Sequence, residues 1–319
     1  MTAKAKAAAK QSAAADRATL DEHRAVARMR QAALQAASSD KGAARVELPP
    51  AFSLCADRFT PVATIAGNGH IDASKPFVIS ATNSPELTSM LLDSAIQQSL
   101  TQFAGKYKRK ESTAASGKYF EVMAIGPAKK NLETFLGKVC GRVKEPVVKI
   151  QSIVPGFDKA LWTCGYSANY TSINIAPNAC AMIRVLAMGE INCILINLVD
   201  LVKALDGAFV KLSDIKEFVS SLGNAKYTEI VDSGCAFHHV KQQAEELLFV
   251  PAGWLLCETC SSATADGQAQ QLIYGFRKSL FFNNGSDRDG YGQVESLMSN
   301  DGLDTSKMKK VQELFTASA

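Results

Sequence analysis

Near the end of the chain Leu272, Tyr274, Phe276, Leu280 and Phe282 fall on one side, in a two-residue alternation broken only by Lys278. A period of two marks one face of a strand. Shorter apolar runs predict further strands at Lys75–Ser80, Lys118–Ile125, Val147–Val154, Tyr170–Ile175, Ala179–Ala187 and Ile191–Leu198. Other stretches switch to helical spacing. Ser84-Pro85-Glu86 is a helix start, with a capping residue, a first-turn proline and an acid at the positive end of the dipole. Leu92, Ile96, Leu100 and Phe103 continue at helical spacing. Asn131 is the expected cap of a helix with Leu132, Phe135, Leu136 and Val139 on one face, closed by Gly141. Ser213 is expected to cap another, with Ile215, Phe218, Val219 and Leu222 inward and Gly223 at its end. Asn283-Asn284-Gly285 reads as a turn that stops the last strand. Two short helices follow, near Gln293–Ser299 and Ser306–Thr316.

The most informative segment is Glu246–Trp254. Leu247–Val250 reads as a buried strand, Pro251 and Gly253 supply turn chemistry, and a second apolar run, Leu255–Cys257, leaves the turn. The pattern therefore divides the chain in three. Residues 1–47 form a basic, Ala-rich segment with a solvated helix near Ala13–Ala37, ended by Leu48-Pro49-Pro50. Residues 48–282 form the main domain, and 283–319 a C-terminal helical extension.

Composition changes this picture little. The chain has 319 residues, 47% hydrophobic and 21% charged, an ordinary globular balance. A formal charge of +4 does not argue for nucleic acid or a membrane surface. No apolar run approaches the roughly 18 residues that span a bilayer. The eight cysteines read as buried free thiols, because a chain this rich in core residues needs no disulfide framework. That reading points to a reducing intracellular compartment. Cys257-x-x-Cys260 has no second pair and no spaced His, so it is weak evidence for zinc. The N-terminus has no apolar core of a secretory signal; it is basic and poor in acids until Asp16, which leaves an organelle transit peptide open, although it lacks the early Arg and the Ser content of one.

The ordered elements resemble JmjC-type cupin domains over roughly residues 75–282. The likeness rests on Lys75–Ile79, the helix from Asn131, Leu161-Trp162-x-x-Gly165, Thr171, the turn at Gly189, Glu246–Trp254 and the closing strand Leu272–Phe282. The resemblance implies an α+β chain with a double-stranded β-helix core and flanking helices. In that family a His, a carboxylate two residues on and a distant His bind Fe(II), and 2-oxoglutarate and oxygen take the open positions. The matching positions here are Asn174, Ala176 and Leu256. A shift of one residue gives Ile173, Ile175 and Cys257, and neither set makes a three-ligand site. His238 and His239 stand ahead of the Glu246 strand with no carboxylate partner at ligand spacing.

Asn174, Ala176, Arg184, Leu256 and Tyr274 are the residues expected to line the vacated pocket. Arg184, within an apolar strand, either binds an anion there, pairs with a carboxylate or sits on an edge. Lys106, Lys108, Arg109 and Lys110 form a basic run, read as a solvated loop and a candidate anion-binding loop. No phosphate loop or nucleophile elbow is present in the sequence. The expectation is a non-catalytic cupin-like binding or scaffold protein, with no cofactor and no membrane span, whose partner is a protein or a small ligand. The alternatives are a 2-oxoglutarate oxygenase with relocated metal ligands and a weak nucleic-acid-associated protein.

Overall fold

The structure, a computed structural model, describes residues 56–65, 70–111, 119–143, 161–167, 170–176, 179–260, 272–280, 282 and 284–317. The solvated helix expected near Ala13–Ala37 and the strand expected over Val147–Val154 lie outside these residues. The chain enters through two two-residue strands, β1 (Thr60–Pro61) and β2 (Ala63–Thr64), before β3 (Phe77–Ser80). Helix α1 (Pro85–Leu91) begins where the sequence predicts it, and Ser84 accepts a hydrogen bond from the Leu87 N–H at 3.3 Å. The helical run then breaks at Leu92, which is 74% exposed. Asp93 starts a second helix, α2 (Ser94–Glu111), by accepting from the Ala95 and Ile96 N–H groups. Ile96, Leu100, Phe103 and Tyr107 form its buried stripe.

After β4 (Tyr119–Met123), helix α3 (Gly126–Cys140) begins at Gly126 rather than at the expected cap, Asn131. A first-turn proline, Pro127, sets that start. Asn131 instead donates from mid-helix to Asp93 at 2.9 Å. The predicted face of Leu132, Phe135, Leu136 and Val139 is buried. Then come β5 (Leu161–Ser167), β6 (Thr171–Ile175), β7 (Ala181–Met188) and β8 (Ile191–Asn197). Strand β8 runs directly into α4 (Leu198–Ala204), which Asn197 caps by accepting from the Val199 N–H at 2.9 Å. In α5 (Leu212–Ser220) the expected cap, Ser213, lies inside the first turn. Asp301 holds that turn by accepting from the Ser213 N–H at 3.0 Å and its hydroxyl at 2.6 Å.

The remaining elements are α6 (Asn224–Asp232), β9 (Phe237–Gln242), β10 (Glu246–Val250), β11 (Trp254–Cys260), β12 (Leu272–Leu280), α7 (Gly285–Asn300) and α8 (Ser306–Ala317). Asn284, expected in a turn, is the cap of α7 and accepts from the Asp287 N–H at 2.6 Å. The cap moves the start of this helix well ahead of the expected Gln293. No helix among the described residues is long and apolar enough to cross a membrane.

The strands form two mixed sheets. One runs β1-β9-β8-β11-β6 and the other β2-β3-β10-β7-β12-β5-β4. Alternation sorts the side chains. Cys193, Leu195, Trp254 and Leu256 of the first sheet share one core with Tyr166, Met182, Leu186, Leu248 and Val250 of the second. The opposite faces are covered by helices. Ile194, Ile196, Phe237 and Leu255 pack with α4–α8 through Leu201, Ile215, Ile230, Val294 and Val311. Phe77, Ile183, Phe249 and Phe276 pack with α1–α3 through Leu87, Ile96 and Leu132. The alternating face predicted for β12 is therefore correct, and it meets helices. The C-terminal helices share the core of the five-stranded sheet.

The Pro251–Trp254 turn is gripped by α7. Gly253 has φ +73°, and a Cβ on it would collide with the Gly290 backbone; one on Gly290 would collide with the Ala252 carbonyl. Asp287, fully buried, accepts from the Ala252 N–H at 3.2 Å and the Phe282 N–H at 3.0 Å. Trp254 lies beneath, its ring against His238. Gly290→Ala should thus lower the melting temperature, through an overpacking cost of about 1–3 kcal/mol. Gly292→Ala is the control on the same helix, since its Cβ would meet only the Gln312 side-chain tip. Equal melting curves for the two variants would refute the close-approach argument. Trp254→Ala should cost about 3–5 kcal/mol in denaturant titration.

Candidate functional site

Polar groups from four strands converge between the sheets on Arg184, in the middle of β7. Arg184 is fully buried. Its Nε donates to Gln242 Oε1 of β9 at 2.7 Å. Its Nη1 donates to Tyr166 Oη of β5 at 3.1 Å and to Glu258 of β11, with which it forms an ion pair. Its Nη2 meets Cys193 Sγ of β8 at 3.0 Å. Gln242 Nε2 in turn donates to the carbonyls of Arg184 and Glu246, both at 3.0 Å. A guanidinium does not deprotonate in a protein, so its burial requires a carboxylate partner and a nearly full set of acceptors. Glu258 and its neighbours provide both.

A second ion pair lies beside the first. Arg277 of β12 is the cross-strand neighbour of Arg184. Like charges placed opposite each other repel. Arg277 is held by its own carboxylate, Glu121 of β4, which also accepts from Tyr119 Oη at 2.8 Å. The Arg277 guanidinium lies 5.3 Å from the Tyr119 ring centre, and that of Arg184 lies 5.6 Å from Tyr166. The rings of Tyr119, Tyr166 and Tyr170 continue the stack at 5.1 and 5.2 Å.

This arrangement is poor in reactive groups. Burial pushes the Cys193 thiol up to about 12, although Arg184 pulls the other way. Burial likewise raises the Tyr166 phenol well above its ordinary value. Neither supplies a nucleophile or a base near neutral pH. The carboxylates are engaged by guanidinium groups. The cluster is an ion-paired core in which Arg184 is nearly fully satisfied, whereas the buried Arg277 Nε has no hydrogen-bond partner among the described residues.

The residues expected to share a pocket are only partly brought together. Ala176 and Leu256 are buried in the core between the sheets, and Arg184 projects into the polar cluster beside it. Arg184 takes the carboxylate-paired alternative. Asn174 is the cross-strand partner of Leu256, but it lies exposed on the edge strand β6 and accepts from Lys216 Nζ of α5 at 3.1 Å. Tyr274 lies on the other face of β12, against the cluster of Phe103, Tyr107 and Leu272. The period of two that groups it with Leu272 and Phe276 requires that placement. The loop expected at Lys106–Lys110 is helix, the last turns of α2. Lys and Arg are good helix formers, and Tyr107 extends the buried stripe toward Phe120, 4.8 Å away. Lys106 is exposed, and the side chains of Lys108, Arg109 and Lys110 lie outside the described residues.

His238 and His239 belong to β9. Their side chains fall on opposite faces, against Trp254 and Phe59 respectively. Among the described residues no group of three His, Cys, Asp or Glu side chains is placed to hold a metal ion. The Fe(II) site implied by the resemblance also fails on donor chemistry. Ala176 and Leu256 have no donor atom, and the amide oxygen of Asn174 is already bonded to an ammonium. No known protein family matches the chain, and no curated protein matches it.

The site residues missed from sequence are Glu121, Tyr166, Gln242, Glu258 and Arg277. A signal existed for two of them: Glu258 and Arg277 interrupt strands at inward positions. Arg184→Met should destabilise the fold by about 3–5 kcal/mol, because Glu258 is left charged, buried and unpaired. The double change Arg184→Met/Glu258→Leu should recover most of that loss in urea titration. A double variant no more stable than Arg184→Met would show that the ion pair is not the source of the cost.

Proposed function

We propose that the chain is a JmjC-like cupin whose two sheets form a double-stranded β-helix, and that it serves as a non-catalytic binding or scaffold protein. The strand order supports the fold reading. From β5 to β12 the chain changes sheet at every connection except β8 to β9. Successive strands thus wind around a shared interior. Strands β6, β11, β8 and β9 lie side by side, opposite β5, β12, β7 and β10.

One observation carries the functional reading. The three positions that would present His, carboxylate and His in an oxygenase carry Asn174, Ala176 and Leu256. The interior beside them is filled by the Arg184–Glu258 pair. A hard divalent ion asks for imidazole and carboxylate donors and tolerates no buried cation at contact distance. The chain supplies neither donor at these positions, and it offers Lys216 to the one polar group there.

The full chain, titrated anaerobically with Mn(II) in the presence of 2-oxoglutarate, should show no saturable binding by calorimetry and no 2-oxoglutarate consumption with Fe(II) and oxygen. Stoichiometric, chelator-sensitive metal that is needed for 2-oxoglutarate turnover would replace this proposal with the oxygenase reading.

A further inference from the structure

The short lead-in strands stitch the two sheets together. Thr60 and Pro61 of β1 pair in parallel with His238 and His239 of β9, at one edge of the five-stranded sheet. Ala63 and Thr64 of β2 pair in parallel with Phe77 and Val78 of β3, at one edge of the seven-stranded sheet. Val62, between them, donates its N–H to the His239 carbonyl at 3.1 Å, and Ile65 donates to Val78 at 2.9 Å. A few residues thus cross from one sheet edge to the other. Two-residue ladders hold little by themselves, so the side chains decide how firmly the crossing is attached.

On the five-stranded side that attachment is aromatic. The Phe59 ring stacks on His239, with centroids 5.8 Å apart and planes 30° apart, and meets Tyr227 of α6 edge-on at 5.7 Å. His239 is half-buried. A neutral imidazole suits this setting, whereas an imidazolium would lose hydration against a phenyl ring. The charged groups on the elements around it are mutually engaged or remote in kind. On the lead-in, Arg58 pairs with Asp232 of α6, and Asp57 is exposed. On α6, Lys226 pairs with Glu229. On β9, Lys241 pairs with Glu190. Strand β8 carries no charge. Among the described residues no carboxylate is hydrogen-bonded to the ring to compensate its proton.

We propose that His239 makes this crossing an acid-sensitive staple: protonation of its ring against Phe59 releases residues 56–65 from β9 and unstitches that edge of the two sheets. Burial lowers the pKa of His239 from its ordinary value, which agrees with the geometry. The direction follows from linkage. The folded ring binds its proton less readily than the unfolded ring, so the attachment is fully present above the unfolded value of about 6.5 and is lost as pH falls below it. His238, on the other face of β9, is lowered first by burial and then by Lys75, with Asp200 opposing. Its contact is Trp254, in the core between the sheets, and not the lead-in.

Hydrogen exchange on the full chain at pH 7.5 and pH 5.5, corrected for the intrinsic pH dependence of exchange, tests the staple. The peptide containing Val62 should exchange faster at pH 5.5, by up to about tenfold, the ceiling that an unfolded value of about 6.5 sets one pH unit below it. Peptides from β10 should be unchanged. His239→Phe keeps an aromatic ring without the proton and should abolish the response, while His238→Phe should retain it. Equal protection at the two pH values, or an acid response that persists in His239→Phe, would overturn the proposal. If His239→Phe does not fold, the ring is titrated by NMR in the unaltered chain. Titration below the ordinary imidazole value, in step with loss of Val62 protection, supports the staple, and titration at or above that value overturns it.

Discussion

A buried guanidinium cannot shed its charge, and this constraint organises the centre of the molecule. Arg184 must find acceptors wherever its strand places it, and it finds them on β5, β8, β9 and β11. Three of those strands belong to the opposite sheet. The interaction therefore fixes the relative register of the two sheets in a way apolar packing does not, since apolar contacts are non-directional. Arg277 repeats the solution one strand away. It can stand beside Arg184 only because Glu121 neutralises it from the edge strand.

The second constraint is steric. The Glu246–Trp254 segment makes its turn where the α7 backbone passes too close for any side chain. Gly253 and Gly290 face each other, and the Asp287 carboxylate ties the turn to the end of β12. The C-terminal helices are thereby part of the construction of the central turn. A reading that treats residues 283–319 as an appendage overlooks how much of the five-stranded sheet's core they supply.

Strand positions were legible in the sequence as short apolar runs, because most of these strands are buried on both faces. That holds for β6, β7, β10 and β12. Helix starts were less legible. Asp93, Asn197 and Asn284 are caps that look like ordinary polar residues, and Asn131 and Ser213 look like caps but are not. A cap is defined by backbone geometry, which residue type only favours. Strand β8 and α4 share one apolar run, so their boundary carries no composition change. Of the candidate site, Arg184 was visible as a charge in an apolar strand. Its partners were not, because Glu258, Gln242 and Tyr166 are far away in sequence and meet only through sheet pairing. Tyr274 was assigned to the wrong face, although its own alternation with Leu272 and Phe276 placed it correctly.

The cysteines carry a chemical consequence. Cys164, Cys180, Cys193, Cys235, Cys257 and Cys260 are buried, and Cys140 is half-buried. Burial raises the thiols of Cys140 and Cys164 to about 11 and that of Cys235 to about 12. A thiol that is both shielded and protonated reacts slowly with alkylating reagents. These side chains are spread across both sheets and the helical layers, so each acts as a local clock. The rate at which a given cysteine becomes labelled measures how often its own layer opens, and comparing layers would rank them by breathing frequency without any added probe.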